Sequence, residues 1–131
     1  SFDGFTGPYV QYAFARASSI LQKANLTTSD VVRLENVDFS VLKDEKELIL
    51  LRYLIQFPEK IKSAVDGFNP AIVAEHIFEI AKAFNNFYTF CPVLAAENEE
   101  LKKARLALVR AVAVVLKKGL NLLGIEDLEE M

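Results

Sequence analysis

The sequence has few of the residues that form disulfide frameworks or metal sites. Its 131 residues include one cysteine, one histidine, five glycines and four prolines. A single cysteine excludes a disulfide framework and a cysteine-rich zinc site within one chain, and it favours a reducing compartment. We therefore expect a cytoplasmic protein. No run of about 18 uncharged apolar residues is present, so we expect no membrane span.

The composition is that of a single folded domain. Hydrophobic residues make up 52% of the chain and charged residues 25%. This is enough apolar material for a buried core, and residues 1–131 are predicted to form one domain. The formal net charge of −3 argues against general affinity for nucleic acid. Any such binding has to come from a local surface.

Apolar residues recur at helical spacing along most of the chain, and no stretch alternates as a strand would. The pattern predicts an all-α bundle of about five helices. They are expected at Pro8 to Lys23, Asp44 to Phe57, Pro58 to Gly67, Asn69 to about Pro92, and Asn98 to Leu123. Residues 25–42 are predicted to form a loop that contains a short helical or extended piece. The last helix is apolar on two sides, so we expect it at the centre of the bundle.

Two of these helices carry more specific expectations. Proline disfavours helical geometry at the residue before it, so a kink or break is predicted at Phe57-Pro58. Four residues on the segment before that break are expected to face the core, namely Leu48, Leu51, Leu54 and Ile55. His76 falls on the polar flank of its helix, with no cysteine, aspartate or second histidine at ligand spacing, so no metal site is predicted.

The sequence signatures of catalysis are missing. No Walker loop, dinucleotide-binding glycine motif or nucleophile elbow occurs. Charged residues alternate on the helix surfaces, which favours a solvated face over a pair of catalytic carboxylates. Cys91 has no histidine partner and precedes a proline, so we expect a buried, inert thiol. On its own residues the chain is not predicted to be an enzyme, and no cofactor is expected.

Aromatic residues beside basic residues form the most distinctive pattern. Tyr9, Tyr12 and Arg16 project from one side of the first helix, outside its apolar stripe. Rings on a rigid helix can stack on unpaired bases, while a nearby guanidinium contacts phosphate or stacks as well. The same tyrosines could instead complete the core with their hydroxyls pointing outward.

A second basic feature lies on the last helix. Lys103, Arg110 and Lys117 recur every seven residues and form a basic line. Such a line is a candidate nucleic-acid contact, but lysines on a long helix also keep it soluble. The spacing alone leaves both interpretations open.

Several motifs resemble a known family, in its order and with its spacing, over nearly the whole chain. Residues 1–16 (SFDGFTGPYVQYAFAR) look like the segment that follows the catalytic domain of arginyl-tRNA synthetases. Further matches are FPE at 57–59, FNNFY at 84–88, PVL at 92–94, RLAL at 105–108 and GLNLLGI at 119–125. The chain therefore resembles the C-terminal, DALR-type anticodon-binding domain of these class I synthetases.

This resemblance implies a helical domain that holds the anticodon stem-loop of arginine tRNA. In the family, the aromatic residues matched by Tyr9, Tyr12 and Tyr88 and the terminal methionine matched by Met131 lie near the splayed anticodon bases. The last four residues, LEEM, depart from the family's common P-E-R-M. Pattern and resemblance together give the candidate RNA-binding residues, which are Tyr9, Tyr12, Arg16, Tyr88, Lys103, Arg110, Lys117 and Met131.

The resemblance also implies that the chain is a C-terminal fragment of a longer, ATP-dependent arginine–tRNA ligase. The H-I-G-H and K-M-S-K signatures of the catalytic domain are absent, so ATP and Mg²⁺ are expected only in the parent enzyme. The implied partners are arginine tRNA and the catalytic domain of the same synthetase, and we expect a monomer. One alternative is a stand-alone paralogue that acts as a helical protein-interaction module. Another, the equivalent domain of a related class I synthetase, is disfavoured by TGPYVQY and GLNLLGI.

Overall fold

The computed structural model describes residues 6–26 and 37–125, which fold into four helices and a short 3-10 turn. Helix α1 spans Thr6–Lys23, the 3-10 turn Phe39–Val41, α2 Glu45–Asp66, α3 Ala71–Phe90 and α4 Glu99–Leu122. These ranges contain no strand, and the predicted all-α class is confirmed. None of the helices described has the length and apolar character needed to cross a lipid bilayer.

Side chains at the helix ends satisfy backbone groups that lack a helical partner. Asp44 accepts a hydrogen bond from a first-turn N–H of α2 at 2.8 Å, and its own N–H donates to the Glu47 carboxylate at 3.0 Å. This reciprocal pair is a capping box. Asn98 caps α4 by accepting from the Leu101 N–H at 2.8 Å. Just past α4, Gly124 adopts a positive φ of 74°, as a C-terminal glycine cap requires. The boundaries predicted at these three positions are confirmed.

Helix α2 continues through Pro58, so the predicted break at Phe57-Pro58 is wrong. Residues 6–26 and 37–125 consequently contain four helices, whereas about five were predicted. A proline removes one backbone hydrogen bond from a helix interior and disfavours helical geometry before it. Leu50, Leu54 and Phe57 before the proline and Ala64 after it are nevertheless all buried. Because α2 packs against both α3 and α4, burial of these side chains stabilises one continuous helix.

Two expectations about which residues of α2 and α3 are buried are wrong. Leu48 and Ile55 are exposed rather than in the core. His76 is buried, because α2 covers the flank of α3 that the sequence marks as polar. Its Nε2 lies 2.8 Å from the Tyr53 carbonyl oxygen, and its ring stacks on Phe57. Burial lowers the pKa of His76, and the hydrogen bond with Tyr53 partly opposes that shift.

Helix α4 lies at the centre of the bundle, as its two apolar sides predict. It packs against α1, α2, α3 and the 3-10 turn. It comes close to a neighbouring helix at Gly119, where a Cβ atom would lie 2.5 Å from Cγ2 of Ile77 on α3. Real Cβ atoms do not come this close to another carbon, so the contact between α3 and α4 depends on the missing side chain at this position.

We expect Gly119→Ala to destabilise the fold, although alanine is the better helix former. Ile77 is buried, and the added methyl group would meet its Cγ2, which is attached directly to Cβ and is not the far end of a flexible side chain. Overpacking of this kind costs about 1–3 kcal/mol, which outweighs a gain of at most about 1 kcal/mol from replacing a helical glycine. Thermal unfolding followed by circular dichroism measures the change.

Gly7→Ala is the matched control for that prediction. Its added methyl group would meet Cδ1 of Ile125 at 3.5 Å, an ordinary van der Waals contact. We therefore expect Gly7→Ala to leave the stability unchanged or raise it. A Gly119→Ala protein that melts at or above the wild-type temperature would show that the two helices do not depend on this glycine.

A buried ion pair ties α2 to α4 and to the turn that follows α3. Nε of Arg105 donates to Oε2 of Glu47 at 2.6 Å, and Nη1 of Arg105 donates to the Pro92 carbonyl oxygen at 2.7 Å. Glu47 is only 1% exposed, and its Oε1 is the acceptor in the capping box at Asp44. Two side chains thus fix the start of α2, the second turn of α4 and residues 91–95 relative to one another.

Candidate RNA-binding surface

Three of the predicted residues on α1 meet α3 at the surface. Tyr9, Tyr12 and Arg16 lie on successive turns of α1, and Asn85 and Tyr88 lie about one turn apart on α3. Helices α1 and α3 pack against each other, which brings the two groups together. We call these five residues the aromatic cluster.

Arg16 is the centre of the aromatic cluster. Its guanidinium carbon lies 4.3 Å from the centroid of the Tyr88 ring and 5.2 Å from that of the Tyr12 ring. Both distances are within the range of a cation–π interaction. Nη1 of Arg16 also donates to Oδ1 of Asn85 at 2.9 Å. These contacts hold the guanidinium between two rings, while its other N–H groups donate to no residue in the described part of the chain.

Asn85 connects this centre to Tyr9. Its Nδ2 donates to the Tyr9 hydroxyl at 2.9 Å, while its Oδ1 accepts from Arg16. The Tyr9 ring packs on Phe78, with a centroid separation of 5.2 Å, and the Lys82 ammonium group lies 5.1 Å from the Phe78 ring. Rings and cations therefore alternate along the side of α3 that adjoins α1.

The Tyr12 and Tyr88 rings are accessible to solvent. Tyr12 is 46% exposed and Tyr88 is 43% exposed, whereas Tyr9 is half-buried. The interpretation of the tyrosines as core residues thus fits Tyr9 better than the other two. Exposed rings offer faces on which unpaired bases can stack, at about 1–3 kcal/mol per base. From Phe78 to Tyr88, α3 advances about 15 Å, and stacked nucleotides advance about 3.4 Å each, so this side of the helix can span several bases.

Two members of the predicted basic line on α4 have no polar or ring contact with the aromatic cluster. Lys103 is exposed and Arg110 is half-buried, and in the described residues neither bonds to the cluster. Nε of Arg110 is buried and has no hydrogen-bond partner in the same part of the chain. Lys117 is half-buried. A role for these three residues in RNA binding stays a prediction, as does that of Met131, which lies outside the described residues.

The remaining titratable candidates do not form a reactive site. Cys91 is a buried thiol, as expected, and burial raises its pKa. A buried thiol with a raised pKa stays protonated and is a poor nucleophile. Across residues 6–26 and 37–125, no group of three or more histidine, cysteine, aspartate or glutamate side chains could hold a metal ion.

Asn85 is the cluster residue that the sequence did not single out. It belongs to the FNNFY motif at 84–88, but a single asparagine on a helix has no distinctive signal. Its two partners, Arg16 and Tyr9, lie 69 and 76 positions away, so its role exists only in the tertiary structure. The one available clue is that residues three apart, such as Asn85 and Tyr88, lie on the same side of a helix.

Comparison with known proteins identifies the family of this chain. The model of the DALR anticodon binding domain family matches residues 10–131. Over 131 residues the chain is 46% identical to an arginine–tRNA ligase of Clostridium botulinum (strain 657 / Type Ba4). It is 45% identical over 132 residues to one of Clostridium kluyveri. The full chain is matched in both cases, yet it spans only 22% and 23% of the length of these relatives.

Two solved structures have the same fold. The arginyl-tRNA synthetase of Thermus thermophilus superposes with a TM-score of 0.84 and 36% identity, covering 100% of this chain and 22% of that one. The arginyl-tRNA synthetase of Plasmodium falciparum superposes with a TM-score of 0.73 and 25% identity, covering 98% of this chain and 22% of that one. With the family model matched over nearly the whole chain, this chain belongs to the DALR anticodon-binding domain family of arginyl-tRNA synthetases.

Proposed function

We propose that the chain binds the anticodon stem-loop of an arginine-accepting tRNA through the aromatic cluster. The observation that carries this proposal is the Arg16 guanidinium held between the exposed rings of Tyr12 and Tyr88. Anticodon bases are unpaired, so they can stack on such rings and be recognised along their edges, while the guanidinium contacts phosphate. The preference for arginine tRNA is supported by similarity to arginine–tRNA ligases over the full chain.

The local charge at this surface favours RNA, although the net charge of the chain is −3. The aromatic cluster contains one cation, Arg16, and no carboxylate. Lys82 lies close by and pairs with Glu79 at 3.2 Å, with both side chains well exposed. Exposed pairs of this kind are weak and screened by salt, so a phosphate can compete for the lysine.

The same proposal extends to a longer enzyme. Because the relatives are more than four times as long as the matched segment, we propose that the chain serves as part of a monomeric, cytoplasmic arginine–tRNA ligase. A separate catalytic domain of that enzyme would bind ATP and Mg²⁺ and join arginine to the tRNA. The role of the present residues is to hold the anticodon end of the tRNA so that its acceptor end reaches that domain.

A fluorescence titration tests the proposed function directly. A labelled anticodon stem-loop of arginine tRNA is titrated with the chain at about 50 and 200 mM salt, beside the same stem carrying a scrambled loop. We expect the authentic loop to bind about ten times more tightly than the scrambled loop, and both affinities to fall as salt rises, because phosphate contacts release counterions. Equal binding of the two loops would contradict recognition of the anticodon.

Replacing Tyr88 with alanine should weaken RNA binding more than it weakens folding. The side chain is 43% exposed and provides one face for the Arg16 guanidinium. We expect about a tenfold loss of affinity, which corresponds to one lost stacking contact, with a small change in melting temperature. Phe68→Ala is the control, because Phe68 is 93% exposed and lies outside the aromatic cluster. If the melting temperature drops by many degrees and the folded fraction binds normally, Tyr88 is a core residue.

A further inference from the structure

An apolar groove of about 440 Å³ opens at the end of the bundle where α2 ends, α3 begins and α4 ends. Val65, Phe68 and Leu122 line this end groove and are exposed. Ala64 and Val73 belong to the same lining and are buried. Among the residues that the structure describes, no charged side chain lines the end groove, and no member of the aromatic cluster does. A partner bound there would therefore leave the cluster open to RNA.

Phe68 combines an exposed ring with an unfavourable backbone conformation. Its side chain is 93% exposed and its φ is 51°, a value that is rare for bulky residues. It occupies the position after the C-cap of α2, where left-handed geometry usually selects glycine. Gly67, the residue before it, has a φ of −98°. Neither the exposure nor the backbone conformation of Phe68 stabilises the chain itself, so the ring is better explained by a contact outside the chain.

The turn that carries Phe68 is fixed before any partner binds. The Phe68 N–H donates to the Val65 carbonyl oxygen at 3.2 Å. The Asn69 N–H donates to the Ala64 carbonyl oxygen at 2.9 Å, and Oδ1 of Asn69 accepts from the Ala71 N–H at 3.1 Å. These bonds join the end of α2 to the start of α3. The end groove is therefore preformed, which lowers the entropy lost when it is filled.

The size of the end groove favours an occupant that is attached to the same polypeptide. Nine of the described residues line it, whereas a stable interface between separate proteins takes about 20–30 residues from each side. A covalent tether raises the effective concentration of a second domain to about the millimolar range, so a much smaller apolar contact suffices. More than three quarters of the Clostridium botulinum relative lies outside the segment that this chain matches. In the proposed enzyme that remainder would be tethered to this chain.

We propose that the end groove docks an apolar segment of the remaining part of the arginine–tRNA ligase, with the Phe68 ring inserted among the apolar side chains of that segment. This inference rests on the proposed function, in which the chain is part of such an enzyme. Docking at the end groove holds the anticodon-binding domain in a fixed position relative to the rest of the ligase. The aromatic cluster stays accessible to the anticodon loop.

Hydrogen–deuterium exchange of the isolated chain and of the full-length ligase that contains it tests the inference. Val65→Asp places a charge in the end groove. Ile55→Asp is the matched control, because both side chains lie on α2 and are 65% and 67% exposed, and Ile55 does not line the groove. Phe68→Gly removes the ring together with the unfavourable backbone conformation. Thermal melts of the isolated chains establish that each variant is folded.

We expect the amides of residues 64–73 and 119–124 to exchange about tenfold more slowly in the ligase than in the isolated chain, because docking suppresses local opening. Val65→Asp and Phe68→Gly should abolish most of this protection, and Ile55→Asp should retain it. Phe68→Gly should leave the melting temperature of the isolated chain unchanged or raise it, because glycine adopts a positive φ readily. Protection lost without a loss of stability separates a docking contact from a structural role.

Two results would overturn the inference directly, namely equal exchange in the isolated chain and the ligase, or protection that survives both groove variants. Sedimentation of the isolated chain tests a second copy as the occupant, and a dimer that Val65→Asp abolishes would overturn the inference as well. None of these measurements uses RNA, so their failure leaves anticodon recognition standing. Equal binding of authentic and scrambled loops would instead reject the proposed function.

Discussion

Arg16→Ala should reduce affinity for the anticodon stem-loop by about 30-fold, or about 2 kcal/mol. The guanidinium is stacked between two exposed rings at 4.3 and 5.2 Å and donates a hydrogen bond to Asn85. Its removal would take away the proposed phosphate contact and free both rings to leave the orientation in which we propose that bases stack on them. A titration at fixed salt measures this loss, and circular dichroism reports whether the helices are retained.

Two further variants separate the charge of Arg16 from its shape. Arg16→Lys keeps the positive charge but lacks the planar fork that stacks and donates in two directions. We expect it to keep the salt dependence of binding and to recover only part of the affinity. Arg52→Ala removes the same charge from an exposed position on α2 and should change affinity little. If Arg52→Ala and Arg16→Ala lose affinity equally, binding depends on total charge and the aromatic cluster has no special role.

Glu47→Ala should cause the largest loss of stability of any single substitution considered for this chain. It leaves Arg105 without its partner in a site where the carboxylate is 1% exposed and the arginine side chain 12% exposed. Breaking a buried pair by removing one member costs about 3–5 kcal/mol. The substitution also removes the acceptor for the Asp44 N–H in the capping box. Scanning calorimetry should show a melting temperature lower by about 10 °C or more.

The exposed pair between Lys62 and Asp66 is the matched comparison for this prediction. Its atoms are 2.9 Å apart, but its side chains are 72% and 64% exposed. Asp66→Ala should therefore cost about 0.5 kcal/mol or less. If Glu47→Ala were no more destabilising than Asp66→Ala, the buried pair would not be what joins α2, α4 and residues 91–95.

Local sequence signals are sufficient to predict most of the fold. Helical periodicity identifies α1, α3 and α4, and the capping residues Asp44, Asn98 and Gly124 fix three helix ends, because each acts on backbone groups within a few residues. The continuity of α2 through Pro58 could not be predicted in this way. The local preference against helix there is outweighed by burial of Phe57 and its neighbours against other helices, which depends on the whole bundle.

The candidate site, like the fold, can be predicted from the sequence only where its signals are local. Spacing identifies Tyr9, Tyr12 and Arg16 as neighbours on one helix, and the resemblance adds Tyr88. Neither indicates that Arg16 lies on the Tyr88 ring or that Asn85 connects it to Tyr9, because α1 and α3 are some 70 positions apart in the chain. The burial of His76 and its bond to the Tyr53 carbonyl are non-local in the same way.

An NMR titration of the ¹⁵N-labelled chain with the anticodon stem-loop of arginine tRNA tests the central claim most directly. If the aromatic cluster binds the loop, the largest chemical-shift changes should occur at the cluster. They should appear at the backbone amides of Tyr12, Arg16, Asn85 and Tyr88 and at the side-chain amide of Asn85. The scrambled loop should produce much smaller shifts at these positions. Shifts confined to the basic line at Lys103, Arg110 and Lys117, with the cluster unchanged, would contradict the claim.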